Sequence, residues 1–180
     1  GFIGSALIKH FIKLKPKERI ISIDNYSSGS EKNHIKSNLV KYIKGENKDI
    51  DQILKSYRKK IKIIFHFGEF SRIFQSFKFY KKCFEYNIHH SSKVIEFSKD
   101  NKIKIIYSAT SSNLGNNGKD ENLSPYAWSK SKNIELIKNY SKWFGLKYEL
   151  VFFYNVYGPG QILNSPMAAV IGIFERQYKN

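Results

Sequence analysis

Five short apolar runs, Arg19–Asp24, Val40–Ile43, Ile61–Phe67, Ile103–Ser108 and Tyr148–Tyr154, alternate with amphipathic stretches, and this alternation constrains the fold most. The spacing predicts helices over Ser5–Lys15, Ile50–Lys59, Cys83–Lys99 and Pro125–Phe144. Apolar strands separated by amphipathic helices make a parallel sheet covered on both faces, an α/β fold. At 180 residues the chain is about one domain long. Its longest unpatterned loop, Ser111–Ser124, lies immediately before the last of these helices. Loops between a strand end and a helix are where α/β folds place their sites.

Composition narrows the function. A net charge of +16 and a pI near 9.8 raise nucleic acid as a partner. Lys greatly outnumbers Arg, however, and is spread from Lys9 to Lys179, a solvated surface rather than the clustered Arg of base and phosphate readout. The single cysteine, Cys83, allows no disulfide framework and fits a reducing, cytoplasmic setting. His10, His34, His66, His89 and His90 are scattered without a helical ligand pair, so no metal is expected. No apolar run of about eighteen residues predicts a membrane span, and nothing reads as a signal peptide. The chain opens in mid-motif at Gly1-Phe2-Ile3-Gly4-Ser5 and closes at Tyr178-Lys179-Asn180, after an apolar helix-like stretch from Met167 to Phe174. It therefore reads as an internal fragment of a longer protein. Trp143, at the end of an amphipathic helix, is expected in the core.

Two constellations carry chemistry. Tyr126 and Lys130, four apart on a helix, share one face, and an ammonium beside a phenol favours the phenolate; the pair can act as a base toward a sugar or alcohol hydroxyl. Gly1 and Gly4 run straight into a helix, as in the second half of a Gly-rich phosphate loop, with the helix N-terminus facing a pyrophosphate. Asp24 ends the strand about twenty residues later, where a carboxylate can bind both ribose hydroxyls of an adenosine and repel the extra phosphate of NADP. Taken alone, the same residues also fit an ordinary turn followed by an exposed Asp.

The segments Gly1–Ser5, Ile23-Asp24-Asn25, Lys44-Gly45-Glu46-Asn47, Phe65-His66-Phe67-Gly68, Asn87, Ser108–Gly115, Pro125–Lys130 and Phe153–Pro159 together resemble one family. This is the extended short-chain dehydrogenases/reductases, specifically the NAD-dependent sugar-nucleotide epimerase/dehydratase group typified by UDP-glucose 4-epimerase. The resemblance covers nearly the whole chain in the family's order. It implies a Rossmann-type doubly wound parallel sheet lacking its first strand and most of the C-terminal substrate domain. Residues 1–155 would be the NAD-binding domain and 156–180 the start of the substrate-binding region.

By the same resemblance, NAD pyrophosphate falls at Gly1 and Gly4, its adenosine ribose at Asp24 with Asn25 among the cofactor contacts, and adenine near Glu46 and Asn47. Phe67 and Gly68 would line the cofactor, and Asn87 would support the site. Thr110 matches the active-site Ser/Thr, Tyr126 the catalytic base, Lys130 the residue that binds nicotinamide ribose, and Asn155 a contact to the nucleotide sugar. The family's first phosphate-loop Gly is missing, and its common Arg before the Tyr-Phe-Asn segment is Phe152. Dehydratases of the group carry an acidic residue just after the active-site Ser/Thr, where this chain has Ser111, Ser112 and Asn113. The resemblance thus implies epimerisation of a nucleotide sugar through a keto intermediate, in a full-length protein that is a homodimer without nucleic-acid or membrane partners. Another reaction of the family, a reductase or dehydratase, stays open, as does a non-catalytic basic NAD- or nucleic-acid-binding domain.

Overall fold

The computed structural model describes residues 1–14, 16–161, 163 and 168–179, with backbone alone for 116 and 179. In chain order the elements are α1 (Phe2–Lys13), β1 (Ile20–Asp24), β2 (Val40–Lys44), α2 (Ile50–Ile53), β3 (Ile63–His66), α3 (Ile73–Lys78), α4 (Tyr80–Phe84), α5 (Ser91–Asp100), β4 (Lys104–Thr110), α6 (Pro125–Phe144), β5 (Tyr148–Phe153) and α7 (Val170–Lys179). The α/β architecture with parallel strands is the one the alternation predicts. The chain falls into two compact units, Gly1–Lys44 with Asn155–Asn180, and Gly45–Tyr154.

In the first unit β1 and β2 pair in parallel, Ile20 opposite Val40 and Asp24 opposite Lys44. In the second, β4 is the middle strand, parallel to β3 on one side and β5 on the other, with His66 opposite Tyr107 and Thr110 opposite Phe153. Parallel pairing aligns the carboxyl ends, so Asp24 and Thr110 close their strands, Phe67 follows β3 directly, and Asn155 lies two residues past β5.

Helices α5 and α6 pack against β4 and against each other. Between them Ile95, Ile105, Tyr107 and Ile137 are wholly buried. Residues Glu85–His90 form a π-helical turn between α4 and α5. It has a packing reason. Cys83, Asn87, Ser91 and Ile95 are each 0% exposed at strict four-residue intervals. In an α-helix such a row drifts by about 40° per step, and a wider turn takes up part of that drift so that all four face inward.

Several sequence expectations are corrected. The helix expected over Ile50–Lys59 stops after α2, because past the buried Ile50 and Leu54 the chain offers Lys55, Arg58, Lys59 and Lys60, with Lys55 and Lys59 repelling at i,i+4. The buried strand expected over Ile61–Phe67 pairs only from Ile63 to His66, and Ile63 is 44% exposed on the edge strand of its sheet. The loop over Ser111–Ser124 contains 3-10 turns at Ser111–Asn113 and Gly115–Asn122. Trp143 is 60% exposed instead of buried. It sits about 180° around α6 from the buried Ile134, and meets Tyr140 at a tilt and Phe144 edge-on. The helix expected to end at Lys15 ends at Lys13, and Lys15 and Met167, the bounds of two expected stretches, lie outside the described residues.

With β4 in the middle of its sheet and Ile105 fully buried, Ile105→Ala should lower stability by about 2–5 kcal/mol in chemical denaturation, as large-to-small core changes do. A loss under about 1 kcal/mol would show that β4 is not the centre of the core.

Candidate active site

In the first unit the site residues gather around the start of α1. Gly1 caps the helix with no side-chain bond, and no acidic residue lies in its first turn. A Cβ on Gly1 or Gly4 would meet nothing within 4 Å. Asp24 accepts from the Gly1 amine at 3.0 Å and from the Tyr26 amide at 2.8 Å. A Cβ on Gly29 would come within 3.2 Å of both Asp24 Oδ2 and Gly1 N, a tight fit that any side chain there would meet. Asn25 accepts from the Ser27 amide at 2.9 Å. Tyr26 takes a left-handed φ of 57° and shares a 2.9 Å hydrogen bond with His34, whose ring stacks on Tyr42 at 3.8 Å. These contacts fix the loop beside Asp24.

A helix N-terminus with no side-chain cap bond and no acidic residue in its first turn, near a carboxylate at a strand end, fits a pyrophosphate and an adenosine ribose. Gly1 and Gly4 would hold the first and Asp24 the second.

In the second unit Asn47 Nδ2 donates to the Gly68 carbonyl at 2.6 Å, and a Cβ on Gly68 would sit 3.1 Å from that nitrogen. Two residues assigned from separate motifs are thereby brought together. Glu46 lies 3.5 Å from Nδ1 of buried His90, and Phe67 meets Phe153 edge-on at 5.5 Å. Asn87 is wholly buried: it accepts from the Phe70 amide at 2.7 Å and donates to the Phe70 carbonyl and to Ser129, both at 3.0 Å. It supports the loop after β3 from inside and does not line a cleft.

Thr110, 5% exposed, closes β4 and caps the following 3-10 turn, its Oγ1 accepting from the Ser112 amide at 3.3 Å. Tyr126 lies in the first turn of α6, which is built by Pro125 at its start and by Ser124 Oγ accepting from the Ala127 amide at 3.0 Å. The Tyr126 amide donates to Ser76 at 3.3 Å and its side chain is half-buried. Among the described residues no hydrogen bond joins its hydroxyl to Thr110 or Lys130. Its electrostatic neighbour is Arg72, whose guanidinium burial pulls below its ordinary value while Tyr126 acts in the opposite sense.

Lys130 is 3% exposed and turns inward, a placement that periodicity does not suggest for a lysine. Its ammonium is ion-paired with Glu69, whose side chain is 1% exposed. It also donates to Ser108 O at 2.5 Å and Ser108 Oγ at 3.1 Å, and lies 4.7 Å from the centre of the Tyr107 ring. Glu69 Oε1 accepts further bonds from Ser91 at 2.7 Å, Tyr107 at 2.9 Å and Asn133 at 3.0 Å. Burial alone would push the Glu69 carboxyl up, but Lys130, His66 and the hydrogen bonds from Lys130 and Ser91 outweigh it and hold the group below its ordinary value. Burial and Glu69 together push the Tyr107 phenol well up, so it remains a neutral donor. Burial lowers His66, with Glu69 opposing and Lys130 assisting.

Sequence reasoning missed Glu69 and Arg72. The available signal was a carboxylate directly after an apolar strand, in His66-Phe67-Gly68-Glu69, where a charge so near the core needs a counter-charge.

Glu69 titrates below its unfolded value and His66 likewise, so the folded state binds fewer protons at both. Their contribution to stability is full above the unfolded values and is lost as pH falls through the folded ones. Stability should therefore decline below the ordinary histidine range and again below the ordinary carboxylate range, with Glu69→Gln flattening the second step. Denaturation midpoints measured against pH test this, and an unchanged acid step in Glu69→Gln would exclude Glu69 as its source.

The model of the NAD dependent epimerase/dehydratase family matches residues 1–180. The chain is 30% identical over 186 residues to a dTDP-D-glucose 4,6-dehydratase of Dictyostelium discoideum, covering 89% of this chain and 43% of that protein. It is 27% identical to a putative UDP-glucose 4-epimerase of Methanocaldococcus jannaschii, covering 100% and 61%. Among solved structures, the UDP-N-acetylglucosamine 4-epimerase of Methanobrevibacter ruminantium in complex with UDP-N-acetylmuramic acid superposes with a TM-score of 0.86 at 30% identity, over 100% of this chain and 60% of that one. The chain thus spans about half the length of the curated relatives it matches. With a match running from its first residue to its last, the chain belongs to the NAD-dependent epimerase/dehydratase family.

Proposed function

We propose that the chain is the cofactor-binding part of an enzyme that epimerises a nucleotide sugar by transient oxidation to a keto intermediate. Residues 1–155 would hold NAD, and 156–180 begin the sugar-binding region. The residues assigned to the cofactor are Gly1, Gly4, Asp24, Asn25, Glu46, Asn47, Phe67, Gly68 and Lys130, with Asn87 bracing the loop after β3.

NAD, when bound, supplies the acceptor and later the donor of hydride. The protein supplies the proton path. Tyr126, as phenolate, takes the proton of a sugar hydroxyl, directly or through Thr110, and returns it after the keto-sugar has turned over. The Lys130 ammonium supports the phenolate by its charge, and Asn155 contacts the nucleotide sugar. Tight hold on the nucleotide half with a looser hold on the sugar permits that turning.

The observation that carries epimerisation over dehydration is the turn after Thr110. Ser111, Ser112 and Asn113 fold into one 3-10 turn with no carboxylate, so dehydration loses support. The Glu121 carboxylate in the same loop accepts from Ser131 at 2.9 Å. An assay of the full-length protein with UDP- and dTDP-sugars tests the reading. Epimer formation without net NADH is expected; release of a keto-sugar or of NADH would reassign the reaction within the family.

Tyr126→Phe in the full-length protein should lower turnover by about a hundredfold or more while leaving NAD affinity nearly intact. Near-normal turnover in that variant would remove Tyr126 from its role.

A further inference from the structure

Lys130 has three N–H bonds to give, and the protein interior takes all three: Glu69 Oε2, Ser108 O and Ser108 Oγ. At 3% exposure the ammonium can meet a new partner only by moving outward, away from the Glu69 carboxylate. We propose that Glu69 is a positioning residue that sets cofactor affinity, its carboxylate competing with a cofactor ribose hydroxyl for the Lys130 ammonium. The inference rests on the reading that Lys130 binds the nicotinamide ribose.

Glu69 is built to hold its position while Lys130 leaves. Three of its contacts, from Ser91, Tyr107 and Asn133, do not involve the lysine and come from α5, β4 and α6. The carboxylate therefore stays hydrogen-bonded when the ammonium departs. The lysine, by contrast, among the described residues has its charge compensated by Glu69 alone, because Ser108 offers neutral oxygens. Weakening Glu69 raises the free energy of the cofactor-free state more than that of the bound state. By linkage, the ligand then binds more tightly.

The consequence separates this role from a purely structural one. Glu69→Gln keeps the side-chain shape and removes the charge, so the cofactor-free protein should melt at lower temperature while binding NAD about fivefold tighter or better by calorimetric titration of the full-length protein. A residue that only held the fold would lower the melting temperature and leave affinity equal or weaker. Lys130→Met should weaken NAD binding, and adding Glu69→Gln to it should change the affinity no further. Equal or weaker binding by Glu69→Gln, with Lys130→Met weakened, overturns the competition and leaves the ribose role of Lys130 standing. Undiminished binding by Lys130→Met overturns both. Should Glu69→Gln fail to fold, a crystal structure of the wild-type full-length protein with NAD decides: a Glu69–Lys130 contact broken in the complex supports the inference, and one retained sinks it.

Discussion

A carboxylate and an ammonium, both shut away from water, hold the second unit together. Removing two charges from solvent costs several kcal/mol for each ion, roughly, and their mutual attraction recovers this only when the remaining lone pairs and protons are also satisfied. That condition is met here. Glu69 gathers donors from β4, α5 and α6, and Lys130 spends its other two donors on Ser108, at the end of the middle strand. The loop after β3 is bound twice over, since Asn87 clamps both backbone groups of Phe70 one residue beyond Glu69. Everything assigned to chemistry in this unit stands on these few residues.

That arrangement explains why the Tyr-x-x-x-Lys spacing is a weaker guide to geometry than helical periodicity alone makes it. Sharing a face of α6 brings two side chains to the same side, but where a long side chain ends depends on which partner captures its tip. Lys130 is captured by Glu69, sixty-one positions earlier in the chain, and Tyr126 stays nearer the helix start with Arg72 as neighbour. Glu69 and Arg72 belong to one loop, between β3 and α3, so a single segment holds the ammonium and stands beside the phenol.

The fold was legible because burial of parallel strands leaves a strong local trace: apolar runs for β1 to β5, and Ser124-Pro125 at the start of the longest helix. The strand-end positions of Asp24, Phe67 and Thr110 followed from the same trace. What stayed hidden depended on non-local pairing. Glu69 looks like any loop acid until Lys130, Tyr107 and Asn133 converge on it, and Trp143 looks like core until the inward face of α6 is seen to run through Ala127, Ile134 and Ile137. The early end of α2 was readable in principle, from the cationic crowd that follows Leu54.

The π-helical turn at Glu85–His90 bears on how the chain can change length. One residue fewer there would return the segment to plain α spacing, and seven α steps turn by about 700°, close to what the eight residues from Cys83 to Ser91 span with the wider turn. Cys83 would therefore stay on the face that Ser91 and Ile95 occupy. Surface loops elsewhere tolerate insertions and deletions freely. This stretch, although helical throughout, shares that tolerance for a single residue, the extra one that its wider turn takes up.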